Sequence, residues 1–240
     1  MAASEETSLA LAVNVLFYFR ILIKIAMWKS LFLAFLKGDI IIKYKPMWKI
    51  KKNIKIPVEV SARHCHLSKQ DLEKLFGAGY ELKNIKQLSQ PSDFACEETI
   101  SIKTDSHILE NVRIVGPIRE KTQVEISLTD AKKLGANPPV RLSGDLESSG
   151  AITLAGPAGE VALEKGLIIA KRHIHCATSE AKNLGLKNNS VVSVKIEGER
   201  PVIFENVAVR IKDNYKLCMH IDTDEGNACG INKIGQGVIL

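Results

Sequence analysis

The 240-residue sequence predicts a mainly β fold built from small barrels. Many short segments alternate apolar and polar residues and are bounded by turn-forming residues, a pattern typical of barrel strands. The helical segments are few and short, and they end near glycine. Fragments that begin at Glu110 and Leu128 recur near Glu205 and Ala177, out of simple order. This internal repeat indicates two related half-domains.

The first part of the body combines a strand, a histidine pair and a short helix. Residues 54–61 alternate well enough to form a strand and lead directly into His64-Cys65-His66. Positions i and i+2 of a strand share a face, so the two histidines should point together while Cys65 faces the core. Ser68 is predicted to cap a short helix that ends at Gly77.

Hairpins and a second short helix follow, and they carry further candidate site residues. Arg119 lies on a Gly-Pro turn, Glu125 lies between two apolar residues of a strand, and Lys86 lies in a segment expected to be a loop. The expected elements are a hairpin at 98–103 and 109–115, a strand at 122–127, a helix at 129–135, and a hairpin at 151–154 and 160–163.

The C-terminal part repeats the strand, histidine pair and helix. A strand at 166–170 feeds Arg172-His173-Ile174-His175, whose first histidine comes 109 positions after His64. A third short helix is expected to open at Thr178. Strands are then expected at 191–197, 202–211 and 217–222, the last of which carries His220.

Four of the six histidines lie in the two His-x-His motifs, which predicts metal binding. Imidazole with carboxylate suits zinc, iron, nickel or copper, and zinc is favoured because no redox motif accompanies the histidines. Glu125 and His220 are the candidate third ligands, since three protein ligands leave an open position for catalysis. Arg63, Arg119 and Arg172 lie near these motifs and suggest an oxyanion or phosphate, although surface ion pairs would equally explain Arg63 and Arg172.

The charge distribution, the cysteine content and the absence of certain motifs argue against several functional classes. Residues 1–55 carry ten basic and three acidic residues, whereas the remaining 185 carry 23 and 24. The near-neutral body argues against nucleic-acid binding. The five cysteines are odd in number and irregularly spaced, which fits a reducing compartment. The sequence lacks a P-loop, a G-x-G-x-x-G motif and a G-x-S-x-G motif.

The N-terminal residues 1–53 are expected to form an extension to the body. Residues 8–36 are strongly apolar, but Arg20, Lys24 and Lys29 interrupt the run, and each would cost about 2.5–3.5 kcal/mol at the centre of a membrane span. A basic apolar helix lying on a membrane or on a partner protein fits better. The alternative is that the true start is Met47.

Four motifs together resemble the phosphate propanoyltransferase family, the zinc-dependent phosphotransacylases associated with bacterial microcompartments. The resemblance covers roughly residues 54–229 and rests on the segments 58–68, 116–125, 170–175 and 219–225. It implies transfer of a short acyl group, propanoyl or acetyl, between coenzyme A and phosphate. It also implies two β-barrels capped by short helices, one formed by 54–62 with 171–240 and the other by 63–170.

The resemblance also implies roles for individual residues. Arg119 would contact phosphate. Lys132 stands where the family has an aromatic residue stacked on adenine, which puts that contact in doubt. The implied ligands of one zinc ion are His64, His66 and Glu125, those of the other are His173, His175 and His220, and the implied coenzyme A contacts are Lys86, Arg113, Ser143 and Asn227.

Location and partners are further implications of the resemblance. The family suggests a homodimer in the cytoplasm, inside a microcompartment, with residues 8–36 directing the chain to shell proteins or a membrane surface. The competing hypotheses are a barrel that binds metal or a coenzyme A-like ligand without turnover, and a cupin-like metal enzyme. The cupin pattern wants a glutamate four to five residues after the second histidine, and Gln70 and Asp71 occupy those places after His66.

Overall fold

A computed structural model describes residues 53–240, so the helical extension expected within 1–53 lies, apart from Asn53, outside the described residues. The described part is mainly β, as predicted. Its helices are α1 Lys69–Phe76, α2 Leu128–Lys133, α3 Thr178–Leu184 and α4 Thr223–Cys229. Its strands are β1 Ile54–Ser61, β2 His64–His66, β3 Asn84–Gln87, β4 Phe94–Lys103, β5 Ile108–Gly116, β6 Gln123–Ile126, β7 Val140–Arg141, β8 Gly150–Ala155, β9 Glu160–Ala170, β10 His173–Cys176, β11 Val191–Ile196, β12 Val202–Ile211, β13 Cys218–Asp222 and β14 Ile234–Ile239.

Six strands close the first barrel, which we call barrel A. Their order is β1-β13-β10-β12-β11-β14, and the antiparallel pairing of β14 with β1 completes the ring. The first strand of the body therefore lies among the last strands of the chain. Alternate apolar residues from each strand fill the interior, among them Ile56, Ile174, Val194 and Met219, all at most 1% exposed.

A second ring of six strands, barrel B, is formed by the middle of the chain. Its order is β4-β5-β2-β6-β9-β8, and β8 closes it because it pairs with both β9 and β4. Strands β3 and β7 extend it at β4 and β9. Its core includes Leu72 of α1 with Ile102, Ile114 and Leu154. The prediction of small barrels with short helices is confirmed.

Each histidine pair lies on a short strand that runs into a capped helix. Ser68 caps α1, and its side chain accepts a hydrogen bond from the Asp71 amide. After His173–Cys176, helix α3 ends at Gly185, whose φ of 72° suits glycine. Cys65 and Cys176 are both buried in the cores, as alternation predicted. None of the helices among residues 53–240 is long and apolar enough to cross a membrane.

Several predicted elements were wrong in extent or type. Lys86 lies in strand β3 and not in a loop; this edge strand is exposed along its whole length, so it lacks apolar alternation. Residues 160–170 form one continuous strand, and Gly166, with φ of 146°, lies within it. Strand β14 was not predicted, and its two glycines weaken the strand pattern. Gly237 is needed there, since a Cβ would lie 2.6 Å from a Val194 methyl carbon. Helix α4 was also missed.

Candidate active site

One cavity of about 670 Å³ lies between the barrels and is lined by residues from both. Strand β2 of barrel B and strand β10 of barrel A place the two His-x-His motifs on its wall. The structure brings together there all six predicted metal ligands and the predicted phosphate contact: His64, His66, Glu125, His173, His175, His220 and Arg119.

The first cluster consists of His64, His66 and Glu125. Strands β2 and β6 are antiparallel, with His64 directly opposite Glu125. The Nε2 atoms of His64 and His66 lie 3.6 and 3.8 Å from Oε1 of Glu125, and the three potential ligand atoms all lie within 4.8 Å of one another. This spacing would let one metal ion contact all three side chains.

Backbone carbonyls orient both rings of the first cluster. Nδ1 of His64 lies 2.9 Å from the Ala62 carbonyl oxygen, and Nδ1 of His66 lies 2.8 Å from that of Val115. A carbonyl oxygen can only accept, so Nδ1 carries a proton in each ring, and Nε2 is the nitrogen that faces Glu125 and would bind a metal. Metal-binding histidines commonly have this arrangement.

The charges in the first cluster are balanced by the pairing of Glu125 with imidazole. Burial disfavours the carboxylate, but His64 outweighs it and holds the pKa of Glu125 well below its ordinary value. Burial, with His64 alongside, lowers the pKa of His66 to about 3. Burial disfavours the charged form of His64, but Glu125 outweighs burial and raises the pKa of His64. A divalent metal, which binds neutral imidazole and ionised carboxylate, would therefore displace the proton of His64.

Gln123 supports Glu125 and was not singled out from the sequence. Its Nε2 donates to Oε1 of Glu125 at 2.6 Å and to Oγ of Ser143 at 3.0 Å. Its own oxygen accepts from the Gly144 amide at 2.7 Å, which fixes the orientation of the side chain. Gln123 and Glu125 are both almost fully buried and two residues apart on β6. We therefore regard Gln123 as a positioning residue for the carboxylate.

The second cluster consists of His173, His175 and His220. Strands β10 and β13 are antiparallel, with His173 opposite His220. The ring centroids are 4.6 Å apart for His173 and His175, 5.5 Å for His173 and His220, and 5.1 Å for His175 and His220. Nδ1 of His173 donates to the Lys171 carbonyl at 2.9 Å, as in the first cluster.

Three ring nitrogens of the second cluster are buried without a hydrogen-bond partner. They are Nδ1 and Nε2 of His175 and Nε2 of His220. Leaving a buried polar atom unpaired costs about 1–3 kcal/mol, so such atoms are rare in native proteins. Burial, with the neighbouring histidines, lowers the pKa of His173 to about 4 and that of His175 to about 2. Buried neutral imidazoles with free lone pairs fit a metal ion.

Glu59 and Cys218 also approach His220, within 4.8 Å between potential ligand atoms. Burial raises the pKa of the Cys218 thiol to about 12, which disfavours the thiolate that metals bind. The carboxylate of Glu59 accepts a hydrogen bond from Ser89 at 2.5 Å. Among the described residues, this set and the first cluster bring three potential ligand atoms within 4.8 Å of one another, whereas the three histidines of the second cluster are not so close. The three-histidine set is still the better metal site by its chemistry, because its imidazoles are neutral and three of its nitrogens lack a partner.

The three candidate arginines have different partners. Arg63 makes a two-point ion pair with Asp130, with N–O distances of 3.0 and 2.8 Å, and Arg172 pairs with Glu225 at 2.6 Å. These two are held in ion pairs. Arg119 forms no ion pair within residues 53–240; it donates to Oγ of Ser143 at 3.0 Å from the cavity wall. The structure thus leaves Arg119 free to bind an anion.

The predicted coenzyme A contacts separate into two groups. Arg113 and Ser143 line the cavity, and Arg113 also donates to the carbonyls of Cys96 and Glu97. Lys86 on β3 and Asn227 on α4 are exposed and do not line it. Lys132, at the position of the family's aromatic residue, is exposed on α2.

The Arg63–Asp130 pair predicts a structural effect without a catalytic one. Asp130→Ala should lower the free energy of unfolding by about 1.5 kcal/mol, the lower end of the range for charge-assisted hydrogen bonds, because Arg63 can turn to solvent. Urea denaturation would measure this loss. As a control, Glu160→Ala breaks the more exposed pair with Lys103 and should cost less than about 1 kcal/mol. A raised KM for phosphate in Asp130→Ala would contradict this assignment.

Comparison with known proteins supports one family. The family model for phosphate propanoyltransferase matches residues 57–232. The chain is 46% identical over 185 residues to a phosphate propanoyltransferase of Clostridioides difficile, covering 77% of this chain and 88% of the relative. It is 50% identical over 184 residues to one of Thermotoga maritima, covering 76% of this chain and 88% of the relative. It is also 50% identical over 190 residues to one of Priestia megaterium, covering 79% of this chain and 87% of the relative. The chain therefore belongs to the phosphate propanoyltransferase family, a family of acyltransferases.

Proposed function

We propose that this protein interconverts propanoyl-CoA and phosphate with propanoyl phosphate and coenzyme A, that it also accepts acetyl-CoA, and that it holds two zinc ions. The observation that carries the proposal is the meeting of two three-ligand clusters and an unpaired arginine on one cavity. Membership of the phosphate propanoyltransferase family supports the reaction.

The residues of both clusters fit zinc. His64, His66 and Glu125 would hold one ion, and the second cluster of three histidines would hold the other, each with a position left open. When bound, zinc supplies Lewis-acid chemistry and a partner for a departing thiolate. The ligands of the first site include one negatively charged carboxylate, whereas the three imidazoles of the second site are neutral. The two bound ions would therefore keep different net charges.

The chain itself would bind and orient the phosphate. Arg119 presents a guanidinium into the cavity and is steadied by Ser143, so it can bind an oxyanion through two donors. Holding phosphate beside the thioester lowers the entropic part of the barrier. The same positive charge would offset the negative charge that develops on the carbonyl oxygen as phosphate attacks.

We propose direct attack by phosphate, without an acyl-enzyme. A phosphate oxygen would attack the thioester carbonyl carbon, the C–S bond would break, and the sulfur would leave with the electron pair. Cys65, Cys176 and Cys218 are buried near the cavity strands, and burial raises the pKa of each thiol, to about 11 for Cys176. Thiols kept protonated and buried are poor nucleophiles. In a two-substrate initial-rate experiment, intersecting double-reciprocal lines would support direct attack by phosphate, and parallel lines would contradict it.

Organisation and location form a further part of the proposal. We place one domain at 54–62 with 171–240 and the other at 63–170; the pairing of β1 with β13 and β14 supports this division. We propose that Arg113 and Ser143 contact coenzyme A within the cavity and that Lys86 and Asn227 contact it outside. The apolar and basic residues 8–36 would direct a homodimer to microcompartment shell proteins or a membrane surface.

The direct test combines turnover with metal analysis on the purified full-length chain. Propanoyl-CoA or acetyl-CoA is mixed with phosphate, and free thiol is followed over time, with a sample lacking phosphate as the control for hydrolysis. We expect phosphate-dependent thiol release from protein that holds two zinc ions per chain. Protein with both ions bound that releases no thiol would contradict the proposed activity and leave a metal-binding barrel without turnover.

A further inference from the structure

Arg210 lies on the cavity wall of barrel A and was not singled out from the sequence. It is on strand β12, which runs parallel to β10, and its register partner is His175. Register partners on neighbouring strands project to the same face of a sheet, so Arg210 shares the face of the second histidine cluster. It is half-buried and lines the cavity together with Arg119.

The guanidinium of Arg210 has no partner within residues 53–240. The other arginines of the barrels have one, with the single exception of Arg200, which is exposed on a surface turn. A half-buried arginine beside a cavity normally donates to a carboxylate or carbonyl, because its charge is costly to desolvate. Within the described residues, the five N–H donors of Arg210 therefore have no acceptor, and its positive charge has no ion-pair partner.

The acidic residues of the cavity are already engaged. Glu125 faces the first histidine pair, and Glu59 accepts from Ser89. Asp93 accepts from Ser92, and Asp222 caps helix α4. None of them makes an ion pair with Arg119 or Arg210. In the described part of the chain, Arg119 and Arg210 are thus left without an ion-pair partner, although Glu125 and Asp93 lie close enough to raise the pKa of Arg119 against the effect of burial.

Arg119 and Arg210 affect each other across the cavity. Arg119 belongs to the turn between β5 and β6 of barrel B, whereas Arg210 belongs to barrel A. The pKa of Arg119 is lowered, chiefly by burial, and the positive charge of Arg210 contributes to the lowering. Two guanidinium groups that repel each other in a partly desolvated cavity are stabilised by an anion between them.

We propose that Arg210 is a second phosphate-binding residue, which holds the phosphate substrate from barrel A while Arg119 holds it from barrel B. The proposal rests on the proposed function, and it names a binding residue for the same reaction. A phosphate dianion offers enough oxygens for two guanidinium groups to bind through two donors each. The same contact would hold the phosphoryl group of the acyl phosphate in the reverse reaction. The site would then need both barrels to bind phosphate.

The test compares Arg210→Gln and Arg210→Lys with Arg200→Gln, using the zinc-loaded full-length protein. Arg200→Gln is the matched control, because it removes an unpaired arginine of the same barrel away from the cavity. KM and kcat are measured for phosphate, acyl phosphate, propanoyl-CoA and coenzyme A. Zinc content and the stabilisation of the melting temperature by inorganic phosphate are measured on the same samples.

Arg210→Gln should raise KM for phosphate and for acyl phosphate about 10- to 100-fold, the cost of losing a charged hydrogen-bond donor. KM for propanoyl-CoA, zinc content and the melting temperature without phosphate should stay unchanged. The KM values of Arg210→Lys for phosphate and acyl phosphate should lie between those of the wild type and Arg210→Gln, because lysine keeps the charge and loses the planar pair of donors. Stabilisation by inorganic phosphate should be lost in Arg210→Gln and kept in Arg200→Gln.

Three outcomes would overturn the proposal. A rise in KM for propanoyl-CoA and coenzyme A alone would assign Arg210 to a phosphate of coenzyme A. Loss of zinc in Arg210→Gln would assign it to support of the second cluster. An unchanged KM for phosphate would remove it from the site. Phosphate stabilisation needs no turnover, so it tests Arg210 even if the wild-type protein releases no thiol and the proposed function fails.

Discussion

Glu125→Gln should lower kcat/KM for propanoyl-CoA by about 10²- to 10⁴-fold, since a metal Lewis acid contributes several kcal/mol and each 1.36 kcal/mol is tenfold in rate. Gln123, Ser143 and the barrel would keep their places, because glutamine has nearly the shape of glutamate. The side chain would lose its charge, which is the feature that the first cluster depends on.

The expected size follows from the burial of this carboxylate. Glu125 is 5% exposed, and its Oε1 lies 3.6 and 3.8 Å from the Nε2 atoms of His64 and His66. It is the only carboxylate in the first cluster, so the amide leaves two neutral imidazoles to hold a divalent ion. Burial and the neighbouring His64 lower the pKa of His66 to about 3 even with Glu125 beside it, so positive charge is disfavoured at that position.

Metal analysis beside kinetics separates the causes of such a loss. Glu125→Gln should lose one zinc ion per chain and keep the other. Glu120→Gln is the matched control: Glu120 is exposed and five residues away, and its change should leave both zinc content and kcat/KM as they are. Full zinc occupancy with unchanged kcat/KM in Glu125→Gln would refute the role of Glu125 as a ligand.

Local sequence patterns were enough to predict the features that depend only on neighbouring residues. The alternation of a strand placed His64 and His66 on one face, with Cys65 in the core. Ser68 and Gly77 marked the ends of a helix that the structure contains. These features depend on backbone geometry within a few residues, so the sequence determines them without the rest of the fold.

Pairing between distant strands could not be predicted in this way. The ion pairs of Arg63 and Arg172 involve Asp130 and Glu225, which are 67 and 53 residues away. The same holds for Arg210, which reaches the cavity only because β12 pairs with β10. Whether an arginine is engaged or free is decided by register between strands, and the resemblance to a family gave no indication for Arg210.

Removing metal with a chelator should lower the melting temperature sharply. An ion present at about 1,000 times its Kd stabilises the native state by about 4 kcal/mol. For a body of this size that corresponds to about 8–16 °C for each ion removed. Differential scanning calorimetry before and after chelation would measure the shift, and added zinc should restore the original value.

The second cluster should account for much of this decrease in melting temperature. Without metal, three of its buried nitrogens have no hydrogen-bond partner: both of His175 and Nε2 of His220. His220→Ala should therefore show a smaller response to chelator than the wild type, because one ion is already missing. His107→Ala is the control, since His107 is exposed and outside the cavity, and it should show the full response.

An unchanged melting temperature after chelation, with zinc shown to be gone, would contradict the metal assignment of the second cluster. Its unpaired nitrogens would then have to be satisfied by water, which needs two to four polar partners. A metal ion requires only the imidazole lone pairs that are already present. The chemistry of the cluster therefore favours metal over water, and calorimetry decides between them.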